Sequence, residues 1–128
     1  MIFSQLLQFN DLGLFLLRLA VGIVFLVHGK QKLAMWKMQP SEQMPSGMLN
    51  MMRFLSLAEI AGGLALIFGV LTQLAAIGLA IIMLGAIYYK IKIWKKKFSE
   101  PGGWEFDLVL LTANLAILLN GGGSISIF

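Results

Sequence analysis

The chain contains no cysteine. Disulfides, thiolate nucleophiles, cysteine-ligated zinc and iron–sulfur clusters held by this chain alone are therefore excluded. Charge is scarce too. Charged residues make up 12% of the 128 positions, about half the share in an ordinary soluble domain. There is one histidine, and the three prolines, Pro40, Pro45 and Pro101, all fall outside the long apolar runs. No positively charged segment precedes the first apolar run, so a cleavable signal peptide is not expected and the first span should direct insertion.

What is present is hydrophobic. Such residues make up 59% of the chain, and mean hydropathy is +0.85. So few charges over so much apolar side chain predict a bilayer as solvent and a single integral membrane domain over 1–128. The fold expected is an all-α membrane protein with four transmembrane helices in an antiparallel bundle. The helices are expected at about 12–33, 54–69, 72–94 and 104–120. Residues 1–10 read as a short interfacial lead-in. Residues 34–53 read as a loop marked by Pro40, Ser41, Glu42, Pro45, Ser46 and Gly47. Residues 70–73 make a tight, uncharged turn, and Pro101-Gly102-Gly103 ends the loop 95–103. Residues 121–128 form a short glycine-rich tail.

The net charge of +4 is unevenly placed. Lys30, Lys32, Lys37 and Arg53 lie around the first loop, and Lys90, Lys92, Lys95, Lys96 and Lys97 around the third. The second turn and both termini carry no basic residue. The positive-inside rule then puts both basic loops in the cytoplasm and both termini outside, in the cell's inner (cytoplasmic) membrane. This is a pattern for anionic headgroups, not for nucleic acid.

Within the apolar runs, polar residues stand out. Glu59 lies beside Ala58, Gly62, Ala65 and Gly69, a stripe of small residues at helical spacing that suits close helix packing in a membrane. Arg18, Gly22, Phe25 and Gly29 make a similar seam in the first helix, and Gly63 adds a small residue to the second. A carboxylate at such depth needs a partner, and the expected partner of Glu59 is Arg18. His28, Glu105 and Asp107 are expected near the inner end. Asn114 lies seven residues after Asp107, on the same helix face. Together Arg18, His28, Glu59, Glu105, Asp107 and Asn114 form the candidate ligand-binding or buried polar cluster. Gly22, Gly62, Gly63 and Gly69 are the candidate packing positions.

Each of these has a plainer reading. Arg18–Glu59 could be an ion pair that only holds helices together. Glu105 and Asp107 could be helix-start carboxylates favoured by the helix dipole, and His28 an ordinary interfacial residue. Met48, Met51 and Met52 could converge on Cu(I), but adaptable apolar packing explains them better. No spacing specifies haem, a metal site or a phosphate loop. No catalytic residue can be named.

Taken in order, several segments resemble the DoxX family of small four-helix bacterial and archaeal membrane proteins. They are Leu17-Arg18-Leu19-Ala20-Val21-Gly22, His28-Gly29-Lys30-Gln31-Lys32-Leu33, Glu59-Ile60-Ala61-Gly62-Gly63, Gly69-Val70-Leu71-Thr72, Gly103-Trp104-Glu105-Phe106 and Gly121-Gly122-Gly123-Ser124. The resemblance runs through nearly the whole chain. It implies a four-helix bundle and an association with membrane oxidoreductases, some linked to quinones and sulfur compounds. By matching motif it implies functional positions at Arg18, His28, Glu59 and Glu105, and ranks Glu105 above Asp107. The tail Ser124-Ile125-Ser126-Ile127 lacks the acidic residue expected after the serine.

The leading expectation is a membrane subunit or partner of a redox system that holds a quinone or other small apolar ligand among its helices. No cofactor is evident in the chain itself. Expected partners are membrane lipids, a redox partner protein and a second copy of the chain, with no nucleic acid. The alternatives are a structural or assembly protein that oligomerises through its glycine faces, and a small transporter or channel.

Overall fold

The computed structural model describes residues 2–123; Met1 and residues 124–128, including the Ser124-Ile127 part of the tail, lie outside the described residues. Among the described residues all regular structure is helical. There are four α-helices, α1 (Asn10–Lys32), α2 (Ser46–Phe68), α3 (Thr72–Tyr88) and α4 (Glu105–Asn120). A 3-10 helix, Ser4–Phe9, leads into α1 and another, Leu33–Trp36, follows it. A π-helical turn, Tyr89–Ile93, prolongs α3.

Three helical stretches, Ser4–Trp36, Ser46–Phe68 and Thr72–Ile93, are long and apolar enough to cross a membrane. At its 16 residues, α4 extends only about 24 Å, short of the roughly 30 Å hydrocarbon core. The outward faces are apolar on every helix. Leu12, Leu16, Ile23 and Val27 of α1 are exposed, as are Phe54, Leu57, Leu64 and Phe68 of α2. Leu74, Ile77, Ile81 and Leu84 continue the pattern on α3, and Val109, Leu115 and Leu119 on α4. Helices apolar inside and out suit lipid rather than water as surroundings.

The helices pack in a ring: α1 against α2, α2 against α3, α3 against α4, and α4 against α1. Val21, Phe25, Leu66, Ala76, Leu79, Met83, Leu110 and Ile117 form the shared core. Positions climb one helix as they descend its neighbour. Gly22 of α1 abuts Gly63 and Ile67 of α2, while Gly29 abuts Ser56 and Ile60. Likewise Gln73 of α3 donates to the Leu118 carbonyl of α4, and Lys90, just past α3, reaches Asp107.

Two sequence expectations change. First, α2 starts at Ser46 rather than near 54, eight residues early. Pro45 is extended, with φ −60° and ψ 159°, and its carbonyl accepts from the Leu49 amide as the first helical bond. Leu49 is fully buried and sits seven residues before Ser56, so the buried stripe of α2 extends into the stretch read as loop. Second, the tight α1–α2 approach uses Gly22, Gly29 and Gly63. A Cβ on Gly63 would meet the Gly22 carbonyl oxygen, whereas one on Gly62 would meet only the Leu79 side chain of α3. Gly69 has φ +70° and caps α2, with the Val70 amide donating back to the Ala65 carbonyl, a left-handed ending that favours glycine.

Candidate functional site

At the end of the bundle where α1 and α3 finish and α4 begins, a cavity of about 530 Å³ opens between the helices. Its walls are mainly apolar, with Leu55, Ile82 and Ala86 among them, and Tyr89, Trp94 and Phe106 supply aromatic rings. Met51 and Met52 also face it, which fits thioethers used as adaptable packing.

Two ion pairs are set into this apolar lining. Lys32 Nζ lies 2.6 Å from Glu59 Oε2, and Lys90 Nζ lies 2.6 Å from Asp107 Oδ2. Lys90 also donates to the Gly103 carbonyl at 3.3 Å. The pairs are asymmetric in burial. The Glu59 side chain is 1% exposed and that of Asp107 9%, against 27% for Lys32 and 22% for Lys90. Each carboxylate thus sits inside while its lysine side chain stays partly exposed. Lysine suits that geometry, because its stem packs on apolar surface and its head snorkels outward. The other oxygen of Glu59, Oε1, is fully buried and has no hydrogen-bond partner among the described residues.

The sequence-predicted residues divide into those at the cavity and those away from it. Glu59, His28 and Asp107 line it, and the His28 ring stands 5.7 Å from that of Phe106. Glu105 does not line it; the residue is exposed at the start of α4. Asp107 is buried and paired, whereas Glu105 is a surface carboxylate at a helix N-terminus. Asn114 is completely buried, but its Nδ2 donates to the Leu110 carbonyl of its own helix.

The expected Arg18–Glu59 pair is corrected as well. Glu59 pairs with Lys32, and Arg18 lies towards the opposite end of α1. It is buried at 1% exposure, with its guanidinium 5.5 Å from the Phe15 ring and its stem beside Gly122, near Thr72. The reason is the opposed run of α1 and α2. With Gly63 against Gly22 and Leu26, and Ser56 against Gly29, position 59 falls level with the last turn of α1, where Lys32 is.

Sequence reasoning missed Lys32 and Lys90, which it counted only as topology signals. The periodicity that could have found them was present. In α1 the seam Arg18, Gly22, Phe25, Gly29 reaches Lys32 at the next step of three. In α3 the buried residues Ala76, Leu79 and Met83 continue through Ala86 to Lys90 at steps of three and four. Each lysine thus ends a buried stripe.

Outside the cavity, Arg53 ties down the connection after α1. Its Nε donates to the Met35 carbonyl at 2.9 Å and its Nη2 to that of Met38 at 2.7 Å. Trp36 Nε1 donates to Ser56 Oγ at 3.0 Å. Arg53, read from sequence as a loop charge, is a clasp on two carbonyls of the connection, those of Met35 and Met38.

Comparison with known proteins gives two matches. The family profile described as DoxX matches residues 13–92. A protein of Bacillus subtilis (strain 168) named "Putative oxidoreductase CatD" is 32% identical over 114 residues, which cover 87% of this chain and 81% of that protein. No solved structure matches the chain.

Proposed function

The chain belongs to the DoxX family, and from that premise we propose that it is a quinone-binding membrane partner of an oxidoreductase. In this reading all four helices span the inner membrane as an antiparallel bundle, with the basic loops in the cytoplasm and the termini outside. The cavity lies at the cytoplasmic end, open towards lipid-soluble ligands. The relative named as an oxidoreductase supports a redox association. The chain has no cysteine to hold an iron–sulfur cluster; in this reading electrons pass by way of the bound ligand and a partner protein.

The observation that carries this reading is the cavity itself, whose mostly apolar walls are interrupted by the Lys32–Glu59 and Lys90–Asp107 pairs. Apolar walls with few fixed polar groups are the usual make-up of a small-molecule site. A quinone ring matches them: a flat apolar body for Tyr89, Trp94 and Phe106, and oxygens for the ion-paired end. The two ion pairs leave the lining close to neutral, which suits an uncharged ligand.

The rival reading, assembly through glycine faces, loses much of its surface. Gly22 and Gly63 are covered by each other's helices, and Gly62 by Leu79. The test is to extract the protein with its native lipids and analyse what is bound. The proposal expects a quinone to co-purify, or added decyl-quinone to quench Trp94, which lines the cavity, in a saturable way. If none co-purifies and none binds when added, the proposal fails.

A further inference from the structure

We infer that the cavity discriminates in favour of ligands bearing a hydroxyl donor, so that of a quinone and its hydroquinone it holds the hydroquinone more tightly. The inference rests on the quinone-binding reading above and adds to it which form is preferred.

The polar groups of the lining are not equally committed. Lys32 already donates to Glu59 Oε2, and Lys90 lies against Asp107 and donates to the Gly103 carbonyl. Both lysine side chains stay partly exposed. Glu59 Oε1 has neither recourse. It is an acceptor on a side chain that lines the cavity, closed off from solvent, and no donor among the described residues reaches it; a ligand hydroxyl meets it where the Glu59 carboxylate turns towards the cavity. A buried carboxylate lone pair left unmet is costly, and the cost is recovered only by a donor. A phenolic O–H supplies one and forms the short, charge-assisted kind of hydrogen bond. A quinone carbonyl, itself an acceptor, would meet Oε1 lone pair to lone pair. A site built around an unmet polar group rejects the analogue that cannot meet it.

The expected preference is about tenfold to a hundredfold, the range of one hydrogen bond to a charged group. The experiment titrates the full chain, in nanodiscs under anaerobic conditions, with decyl-hydroquinone and with its dimethyl ether, which keeps ring and tail but has no donor. Calorimetry gives both affinities. The inference expects the hydroquinone to bind at least about tenfold tighter. Glu59→Gln should remove the gap while ether binding stays near wild type, which also shows that the variant is folded. Glu59→Asp, which withdraws the oxygen by one methylene, should narrow it and serves if the amide variant does not fold. Equal affinities in the wild type would overturn this inference and leave the quinone-binding reading standing. A gap that survives both Glu59 variants would overturn the assignment to Glu59. Binding of neither ligand would overturn both readings.

Discussion

Replacing Gly63 by alanine should loosen the whole molecule, while the same replacement at Gly78 should not. At Gly63 an added Cβ would sit 2.7 Å from the Gly22 carbonyl oxygen and 2.9 Å from the Leu26 amide nitrogen. Ordinary contact begins near 3.4 Å, so the shortfall is 0.7 Å against one backbone atom and 0.5 Å against the other. Neither atom can rotate away, so α1 has to retreat, and Phe25 and Val21 move with it. At Gly78 the added Cβ would meet nothing within 4 Å. Both positions are inside helices, so the gain of about 1 kcal/mol in helix propensity largely cancels between the two variants. What remains is the overpacking cost, about 1–3 kcal/mol. Gly62→Ala should fall between, because its Cβ would press only on the Leu79 side chain, at 2.9 Å. Unfolding by dodecyl sulfate in mixed micelles, followed by tryptophan fluorescence, gives the order. Gly63→Ala equal to or more stable than Gly78→Ala would refute the close α1–α2 contact.

Three further outcomes follow from the ion pairs, the clasp and the charge pattern. Lys32→Met should cost about 3 kcal/mol, because it strands the buried Glu59 charge, and adding Glu59→Leu should return much of that loss; a double variant as unstable as the single in the same unfolding assay would count against the pair. Arg53→Met should free the connection between α1 and α2, raising its cleavage rate by protease in proteoliposomes several-fold without displacing the unfolding midpoint by more than about 1 kcal/mol, since surface changes are usually small; unchanged cleavage would count against the clasp. Because the chain has no cysteine, Glu42→Cys and Ser4→Cys can be labelled singly in intact cells with an impermeant maleimide; Ser4→Cys should react and Glu42→Cys should not, and the reverse would overturn the orientation.

The helices were legible because the solvent is. Long apolar runs with polar residues only at helical intervals leave little else for residues 12–33 or 72–94 to be. The start of α2 was not, because Pro45, Ser46 and Gly47 are the residues of a loop, and only the burial of Leu49 shows that the helix claims them. Glu59 stood out as a lone carboxylate in an apolar helix, and it is at the cavity. Its partner did not stand out. Pairing requires knowing how two helices slide along each other, and that register is fixed by the contact of Gly22 with Gly63, which no property of either residue alone announces. Lys32 and Lys90 were concealed by having two uses at once, since a lysine at a helix end serves topology and can still fold back onto a buried acid. The ranking of Glu105 above Asp107 came from the resemblance alone, while the face that Asp107 shares with Asn114 is the buried face of α4.

The claim on which most else depends is that the cavity beside Lys32 and Lys90 is where the ligand binds. Gly85 lines that cavity, and a Cβ there would meet nothing within 4 Å, so a large side chain at 85 can enter the space without disturbing the helices around it. The direct measurement is the affinity of decyl-quinone for the wild type and for Gly85→Trp, at matched thermal stability. The account predicts saturable binding to the wild type and a loss of at least about tenfold in the variant, the effect of excluding a ring from its site. Equal affinity in the two proteins would contradict it.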